Sequence, residues 1–178
     1  MKIEVKTRGT KEFYDEMLFV VTYCKKFIKN PKRKAYQYTH YLYLYIILGV
    51  TFCACFGFLY WLEQEWYSLV MIGAFLLTLM FELILLINVK KRIKMYMEDK
   101  SDKVIEITNE FICFSSDTMN LKMNKPDIGT IVINKYSTCI LPKIINSYAI
   151  SISNDYLDEF IKGAKENGFD NIIVDNRK

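Results

Sequence analysis

The chain of 178 residues has 24 Lys and Arg against 20 Asp and Glu, a net charge of +4, and 52% hydrophobic residues. The apolar residues are concentrated in two stretches: residues 35–62 contain no Asp, Glu, Lys or Arg, and residues 66–89 contain one such residue, Glu82. About 20 apolar residues cross a bilayer core of roughly 30 Å, so this distribution excludes a small soluble domain. Because the basic residues cluster beside these stretches, a nucleic-acid-binding face is also excluded.

The N-terminal segment predicts a strand and an amphipathic helix. Residues 2–7 alternate polar and apolar side chains until Arg8-Gly9 breaks the pattern. From residue 11 to residue 29 apolar side chains recur at helical spacing, with Thr10 placed to cap the first turn and Asn30-Pro31 to end the last. The apolar face either packs on a folded domain or lies in the lipid interface. Three acidic residues favour packing: Glu12, Asp15 and Glu16.

Two membrane spans are predicted next, at residues 41–62 and 66–89. At 1.5 Å per residue the first span reaches about 33 Å, and aromatic residues lie at both of its ends, as in the aromatic belts of membrane proteins. The short connector, Glu63-Gln64-Glu65, makes the two helices antiparallel neighbours. A turn near Gln64 places residue i level with about residue 128 − i.

Under this alignment two stripes of mostly small residues face each other across the hairpin, and small residues let membrane helices approach closely. Glu82 falls within a turn of Tyr45 and about 10 Å inside the hydrocarbon, which predicts a hydrogen-bonded polar pair. An ionisable group at such depth is also a functional hypothesis, so Glu82 serves structure, partner binding or ion transport. The stripes consist of Tyr45, Gly49, Cys53 and Gly57 on the first span, and Ala74, Thr78 and Glu82 on the second.

Two basic clusters flank the hairpin, whereas its connector has two acidic residues and no base. The positive-inside rule therefore predicts that both termini lie in the cytoplasm. Basic residues next to a membrane also attract anionic lipid, so both clusters are predicted to contact lipid headgroups. The first cluster is Lys25, Lys26, Lys29, Lys32, Arg33 and Lys34, and the second is Lys90, Lys91, Arg92 and Lys94.

The segment from about Asp102 predicts an antiparallel meander of short strands closed by one helix. Ser153 or Asn154 caps this helix, and Asn167-Gly168 ends it. A short strand or a tail on the core follows at residues 172–174. The strands of the meander are expected at residues 104–108, 111–114, 119–123, 130–134, 139–141 and 148–152.

These elements predict an integral membrane α+β protein with three parts: residues 1–34, 35–92 and 93–178. The first part is too small to fold alone, so its strand and helix are expected to join the sheet of the third part. The result is one cytosolic domain, an antiparallel sheet with N- and C-terminal helices, that is interrupted by a transmembrane hairpin.

The residues of catalytic and cofactor sites are sparse. His40 is the single histidine, and the seven glycines are isolated, so neither a multi-histidine zinc site nor a phosphate-binding loop is expected. The five cysteines are expected to stay reduced in or beside the cytosol. Cys53 and Cys55 point to nearly opposite sides of a helix, which favours a structural role over a metal site. The sequence thus predicts no enzyme and no cofactor.

The order of the elements resembles the YcxB-like membrane proteins of low-GC Gram-positive bacteria. The matching parts are residues 2–30, the hairpin 41–89 and residues 104–167, which cover most of the chain. Where family members carry a tryptophan with an acidic residue, and an isoleucine-proline, this chain has Lys125-Pro126-Asp127-Ile128 and Ile150-Ser151-Ile152. The resemblance implies a cytosolic domain similar to pleckstrin-homology folds, and no catalytic residue.

The sequence favours a binding function: an accessory or regulatory protein that holds a small domain at the inner membrane face. Its expected partners are membrane lipids and another protein, and a homo-oligomer is possible. One alternative is an immunity or resistance protein against a secreted toxin or bacteriocin, an expectation by analogy with other small two-span proteins. The other alternative is a small oligomeric transporter that uses Glu82.

Overall fold

The structure, a computed structural model, describes residues 1–5, 9–99, 101–117, 119–144 and 148–177. The contacts divide the chain into two compact units. The first, named here the α+β unit, comprises Met1–Ala35 and Met95–Lys178, and the second, the hairpin unit, comprises Tyr36–Lys94.

The N-terminal segment consists of one strand and two helices: β1 (Lys2–Val5), α1 (Lys11–Thr22) and α2 (Cys24–Lys29). The Oγ1 atom of Thr10 accepts the backbone N–H of Phe13 at 3.2 Å, which confirms the predicted cap. The single helix predicted here is wrong, because the backbone of Tyr23 (φ −104°, ψ 23°) separates α1 from α2. The predicted end of the strand, at residues 6–8, lies outside the described residues.

The first sheet has the strand order β1-β2-β3-β4 and is antiparallel throughout. Ile3 of β1 lies opposite Ile105 of β2. The sheet therefore pairs a strand that precedes the hairpin unit in sequence with a strand that follows it. The turn at Asn109-Glu110 lies between the strands predicted at residues 104–108 and 111–114, and the Thr108 N–H bonds the Phe111 carbonyl across it. The strands after β1 are β2 (Lys103–Ile107), β3 (Phe111–Ser116) and β4 (Asn120–Asn124).

The second sheet has the order β7-β6-β5-β8, with β5 at Ile128–Ile133, β6 at Ser137–Pro142, β7 at Ile150–Ser153 and β8 at Ile173–Asp175. A single antiparallel sheet was the prediction, and it is wrong on two counts: there are two sheets, and β8 runs parallel to β5. A parallel neighbour needs a crossover connection, and the helix between β7 and β8 supplies one. Residues 145–147, within a predicted connection, lie outside the described residues.

One core joins the two sheets and the closing helix α5 (Leu157–Glu166). Alternation explains the inward strand positions: Ile105 and Ile107 of β2 are fully buried, and so is Phe160 of α5. The predicted end of α5 is confirmed, because Gly168 has φ +75° and its N–H bonds the Lys165 carbonyl. Helices α1 and α2 pack on β6, as the packing alternative predicts for the N-terminal helix.

The hairpin unit contains two helices that are long and apolar enough to cross a membrane: α3 (Tyr38–Glu63) and α4 (Trp66–Glu98). Their most apolar windows have mean hydropathies of 2.2 and 2.6. The connector is shorter than expected, since Gln64 and Glu65 alone lie between the helices. Gln64 adopts a left-handed conformation (φ 52°) and its N–H bonds the Tyr60 carbonyl, which ends α3. From Met95 onward the residues of α4 belong to the α+β unit.

Candidate functional site

The contacts between α3 and α4 confirm the predicted alignment of the hairpin. The alignment places Gly49 level with residue 79, and a Cβ atom added to Gly49 would lie 2.7 Å from the Cδ2 atom of Leu79. The ring of Phe75 stacks on that of Phe52, with centroids 5.1 Å apart and planes at 6°. The antiparallel register is therefore supported by one close approach and by the stacking of Phe75 on both Phe52 and Phe56.

The predicted stripe is partly replaced by its neighbours on α4. Gly49 and Cys53 are half-buried, whereas Ala74 and Thr78 are exposed. Phe75 and Leu79, each one residue further on, take the inward positions, because one residue rotates a helix face by about 100°. A Cβ atom on Gly57 would meet no atom within 4 Å, so the close approach is found at Gly49 and not at Gly57.

Glu82 and Tyr45, the predicted polar pair, have different surroundings. The Oε2 atom of Glu82 is buried and has no hydrogen-bond partner among the described residues. Tyr45 is 43% exposed, and its hydroxyl oxygen lies 2.8 Å from that of Tyr41 on the same helix. The bond between Glu82 and Tyr45 stays a prediction, and Tyr41 is the neighbour that the sequence reasoning missed.

The basic clusters lie on the surfaces of their units. Every lysine of both clusters and Arg92 are exposed, and Arg33 is half-buried. Two lysines lie over aromatic rings: the Nζ atom of Lys26 is 4.9 Å from the ring centroid of Tyr23, and that of Lys90 is 5.2 Å from that of Tyr43. Exposure leaves these charges open to solvent or to a headgroup, and their contact with lipid stays a prediction.

A partly enclosed pocket of about 390 Å³ lies within the α+β unit. Its walls come from four regions that are distant in sequence: α1, the C-terminal end of α4, the first sheet, and β7. This volume falls in the range of roughly 300–1,000 Å³ that is typical of small-molecule sites. Most of the lining is apolar, and its larger side chains include Phe13, Met17, Tyr96, Ile105, Phe114 and Leu121.

One ion pair gives this pocket a charged edge. The Nζ atom of Lys103 lies 3.0 Å from the Oδ2 atom of Asp99, and the Lys103 side chain is 18% exposed. Ser101 donates its backbone N–H and its hydroxyl to the same carboxylate, both at 3.0 Å. The Ser101 N–H, followed by Lys103, holds the pKa of Asp99 below its usual value.

A buried acid, Glu16, connects α1 to the second sheet. Its Oε1 atom accepts the backbone N–H of Ser137 at 2.9 Å, the Ser137 hydroxyl at 2.6 Å and the Tyr136 N–H at 3.2 Å. Burial raises the pKa of Glu16, and these hydrogen bonds oppose the rise. The helical spacing contains the signal for this residue: Glu16 lies three residues after Phe13 and four before Val20, which are both buried.

Within the described residues no group of three or more His, Cys, Asp or Glu side chains could hold a metal ion. The described residues thus define a mixed helix-and-sheet protein that has two helices of membrane-spanning length and an apolar pocket in its α+β unit. No family model matches the chain, and no curated protein or solved structure is significantly similar to it.

Proposed function

We propose that this chain is a membrane-anchored accessory or regulatory binding protein, rather than an enzyme. In this proposal α3 and α4 span the cell membrane, both termini lie in the cytoplasm, and the α+β unit is held at the inner membrane face. Its partners are membrane lipids and a second protein.

The charge distribution supports the membrane topology. Basic residues follow the second apolar stretch from Lys90 to Lys94, and others precede the first, whereas the tip of the hairpin has Glu63 and Glu65. Cytoplasmic ends of membrane helices carry an excess of Lys and Arg, so this arrangement favours a hairpin with its tip outside.

The strand order supports the resemblance to YcxB-like proteins. The hairpin unit is inserted between β1 and β2 of one sheet, and the later strands form a meander that α5 closes. A pleckstrin-homology-like domain interrupted by two adjacent spans is the layout that the resemblance implies.

The pocket of the α+β unit is the observation that carries the binding function. It is mostly apolar and large enough for a ligand or an anchoring side chain. The ion pair at its edge can orient the polar end of a bound group. A mostly apolar wall of this size offers a ligand both desolvation and a complementary shape, which favours a binding function.

Site-specific photo-crosslinking in intact cells tests this proposal. A photoreactive amino acid replaces Val21, a 46% exposed residue that lines the pocket, and in the control replaces Ile144, a 67% exposed residue that does not line it. A binding protein gives a discrete adduct from position 21 and none from position 144. Equal adduct patterns from both positions would contradict the proposal.

A small oligomeric transporter is the second candidate, and the buried Oε2 atom of Glu82 favours it, because no described residue bonds this oxygen. Proton flux into liposomes that contain the full chain tests this function. Flux that Glu82→Gln abolishes supports transport, and the absence of flux in the unmodified chain contradicts it.

A further inference from the structure

The pocket of the α+β unit combines a mostly apolar lining with one charged edge. Phe114 and Leu121 contribute to its wall from β3 and β4, and Met17 does so from α1. Lys103 and Asp99 line the same pocket. We propose that it binds a single acyl chain whose anionic end group contacts Lys103. This inference rests on the proposed binding function, to which it adds the class of ligand.

The volume of the pocket fits one chain of moderate length. Apolar cavities of about 150 Å³ hold a molecule with the six carbons of benzene. On that scale the 390 Å³ of this pocket accommodate about 16 carbons, which is enough for the chain of dodecanoic acid. Two chains of a phospholipid would exceed this volume, so the fitting ligand has one chain.

The charged edge determines the end group of the ligand. Lys103 is mostly buried beside the apolar wall, so its ammonium has few water molecules to replace a lost partner. Asp99 also accepts two hydrogen bonds from Ser101, and therefore keeps partners if Lys103 turns toward a ligand. A carboxylate or phosphate can share the ammonium with Asp99, whereas an alcohol gains no charge interaction there.

Two sources supply this chemistry: a free fatty acid and an anionic lysophospholipid. Both have one chain and an anionic end, and they differ in the size of the headgroup. Dodecanoic acid and lysophosphatidylglycerol are therefore the probes that separate them.

Photo-labelling of the full chain in phosphatidylcholine nanodiscs tests the site. A photoreactive derivative of dodecanoic acid is cross-linked, and the labelled residues are identified by mass spectrometry. We expect saturable labelling on α1 and on β2 to β4, competed by dodecanoic acid. Dodecanol should compete about ten-fold more weakly, because it lacks the charge. Labelling confined to α3 and to residues 66–94 of α4 would show that the probe follows the bilayer, and it would overturn the proposal.

Two pairs of variants separate the site from nonspecific partitioning. Met17→Trp fills the pocket and should abolish the saturable labelling, whereas Met97→Trp, on a residue that does not line the pocket, should leave it intact. Lys103→Met should weaken the acid about ten-fold and leave the alcohol unchanged. Lys2→Met removes another ion pair of the same sheet, to Glu106, and should change neither. Labelling that Met17→Trp leaves unchanged would refute the site.

The competitors then assign the source. Competition by lysophosphatidylglycerol as strong as that by dodecanoic acid supports a lipid source, and competition by the acid alone supports a free fatty acid. If chain labelling fails while the adduct at position 21 persists, the acyl-chain inference falls and the binding function stands. If the acyl probe labels the pocket and position 21 gives no protein adduct, the acyl-chain site is supported and the proposed protein partner is contradicted.

Discussion

At the scale of single residues, Glu16 is an ionisable residue whose burial has a structural reason. It is 2% exposed and lies against the turn between β5 and β6. The turn presents the N–H groups of Tyr136 and Ser137, and a buried N–H without an acceptor costs about 1–3 kcal/mol. The carboxyl of Glu16 supplies that acceptor, so α1 is held to the second sheet by hydrogen bonds as well as by apolar packing.

Replacement of this acceptor should destabilise the α+β unit. Glu16→Ala leaves two buried N–H groups unpaired and should lower the free energy of unfolding by about 2–4 kcal/mol. Glu16→Gln keeps one acceptor oxygen and should cost about half as much. Urea unfolding of the full chain in detergent measures both, with the exposed Glu166→Ala as the control that should change stability by less than about 0.5 kcal/mol. An equal loss in all three variants would contradict the role of Glu16.

The pH dependence of stability should also depend on Glu16. Burial raises its pKa above the ordinary value of 4.5, so the folded protein holds this proton more tightly than the unfolded chain does. The contribution of protonated Glu16 is therefore present at acidic pH and is lost as pH rises through the raised pKa. We expect the unfolding free energy of the unmodified chain, measured at a series of pH values, to rise relative to that of Glu16→Gln as the pH falls. A constant difference between the two would disprove this.

At the scale of elements, local signals were sufficient for two helix ends, whereas Ser153, a predicted cap of α5, caps a short 3₁₀ helix and α5 begins at Leu157. Thr10 and Asn167-Gly168 act through bonds within a few residues, and both predicted ends are confirmed. The parallel pairing of β8 with β5 depends on residues that are distant in sequence, which spacing along the chain does not record, and the helical spacing likewise contains no signal for the break at Tyr23. For the same reason the pocket was not predictable, because its walls come from four separate regions. The helical spacing could have predicted that Glu16 lies on the buried face of α1, but it could not have predicted the N–H groups that donate to its carboxyl.

The two glycines of α3 should differ in their sensitivity to substitution. Gly49→Val pushes a side chain into Leu79, whereas Gly57→Val meets open space. Overpacking costs typically about 1–3 kcal/mol, so the first variant should lower the stability of the hairpin and the second should not. Unfolding in increasing sodium dodecyl sulfate, followed by helical circular dichroism, compares them. Equal midpoints for Gly49→Val and the unmodified chain would contradict the close contact.

The N-terminal strand and helices should be needed for the later strands to fold. Without residues 1–30, β2 loses its partner β1, and β6 loses the packing of α1 and α2. A fragment of residues 104–178 should therefore be less soluble and less stable to urea than the same fragment with residues 1–30 on a flexible linker. Equal solubility and equal urea midpoints would show that the two parts fold independently.

At the scale of the whole molecule, the proposed topology makes the hairpin tip and the α+β unit face opposite sides of the membrane. In a cysteine-free background, Gln64→Cys should react with an impermeant maleimide added to intact cells. Lys162→Cys, an exposed position on α5, should react after the cells are opened. The basic flanks and the acidic tip are the physical reason. The reverse pattern would invert the topology and remove the α+β unit from the cytoplasm.

Because β1 pairs with β2, the first sheet cannot form until long after β1 has been synthesised. Lys2 pairs with Glu106, so the ribosome makes both long helices after the first strand and before the strand that binds it. At about 5–20 residues per second, β1 and the apolar side of α1 wait roughly 5–20 s for their partners. On the proposed topology the hairpin enters the bilayer during that interval, before the first sheet can close. On that topology the anchor is in place before the domain that it holds has folded.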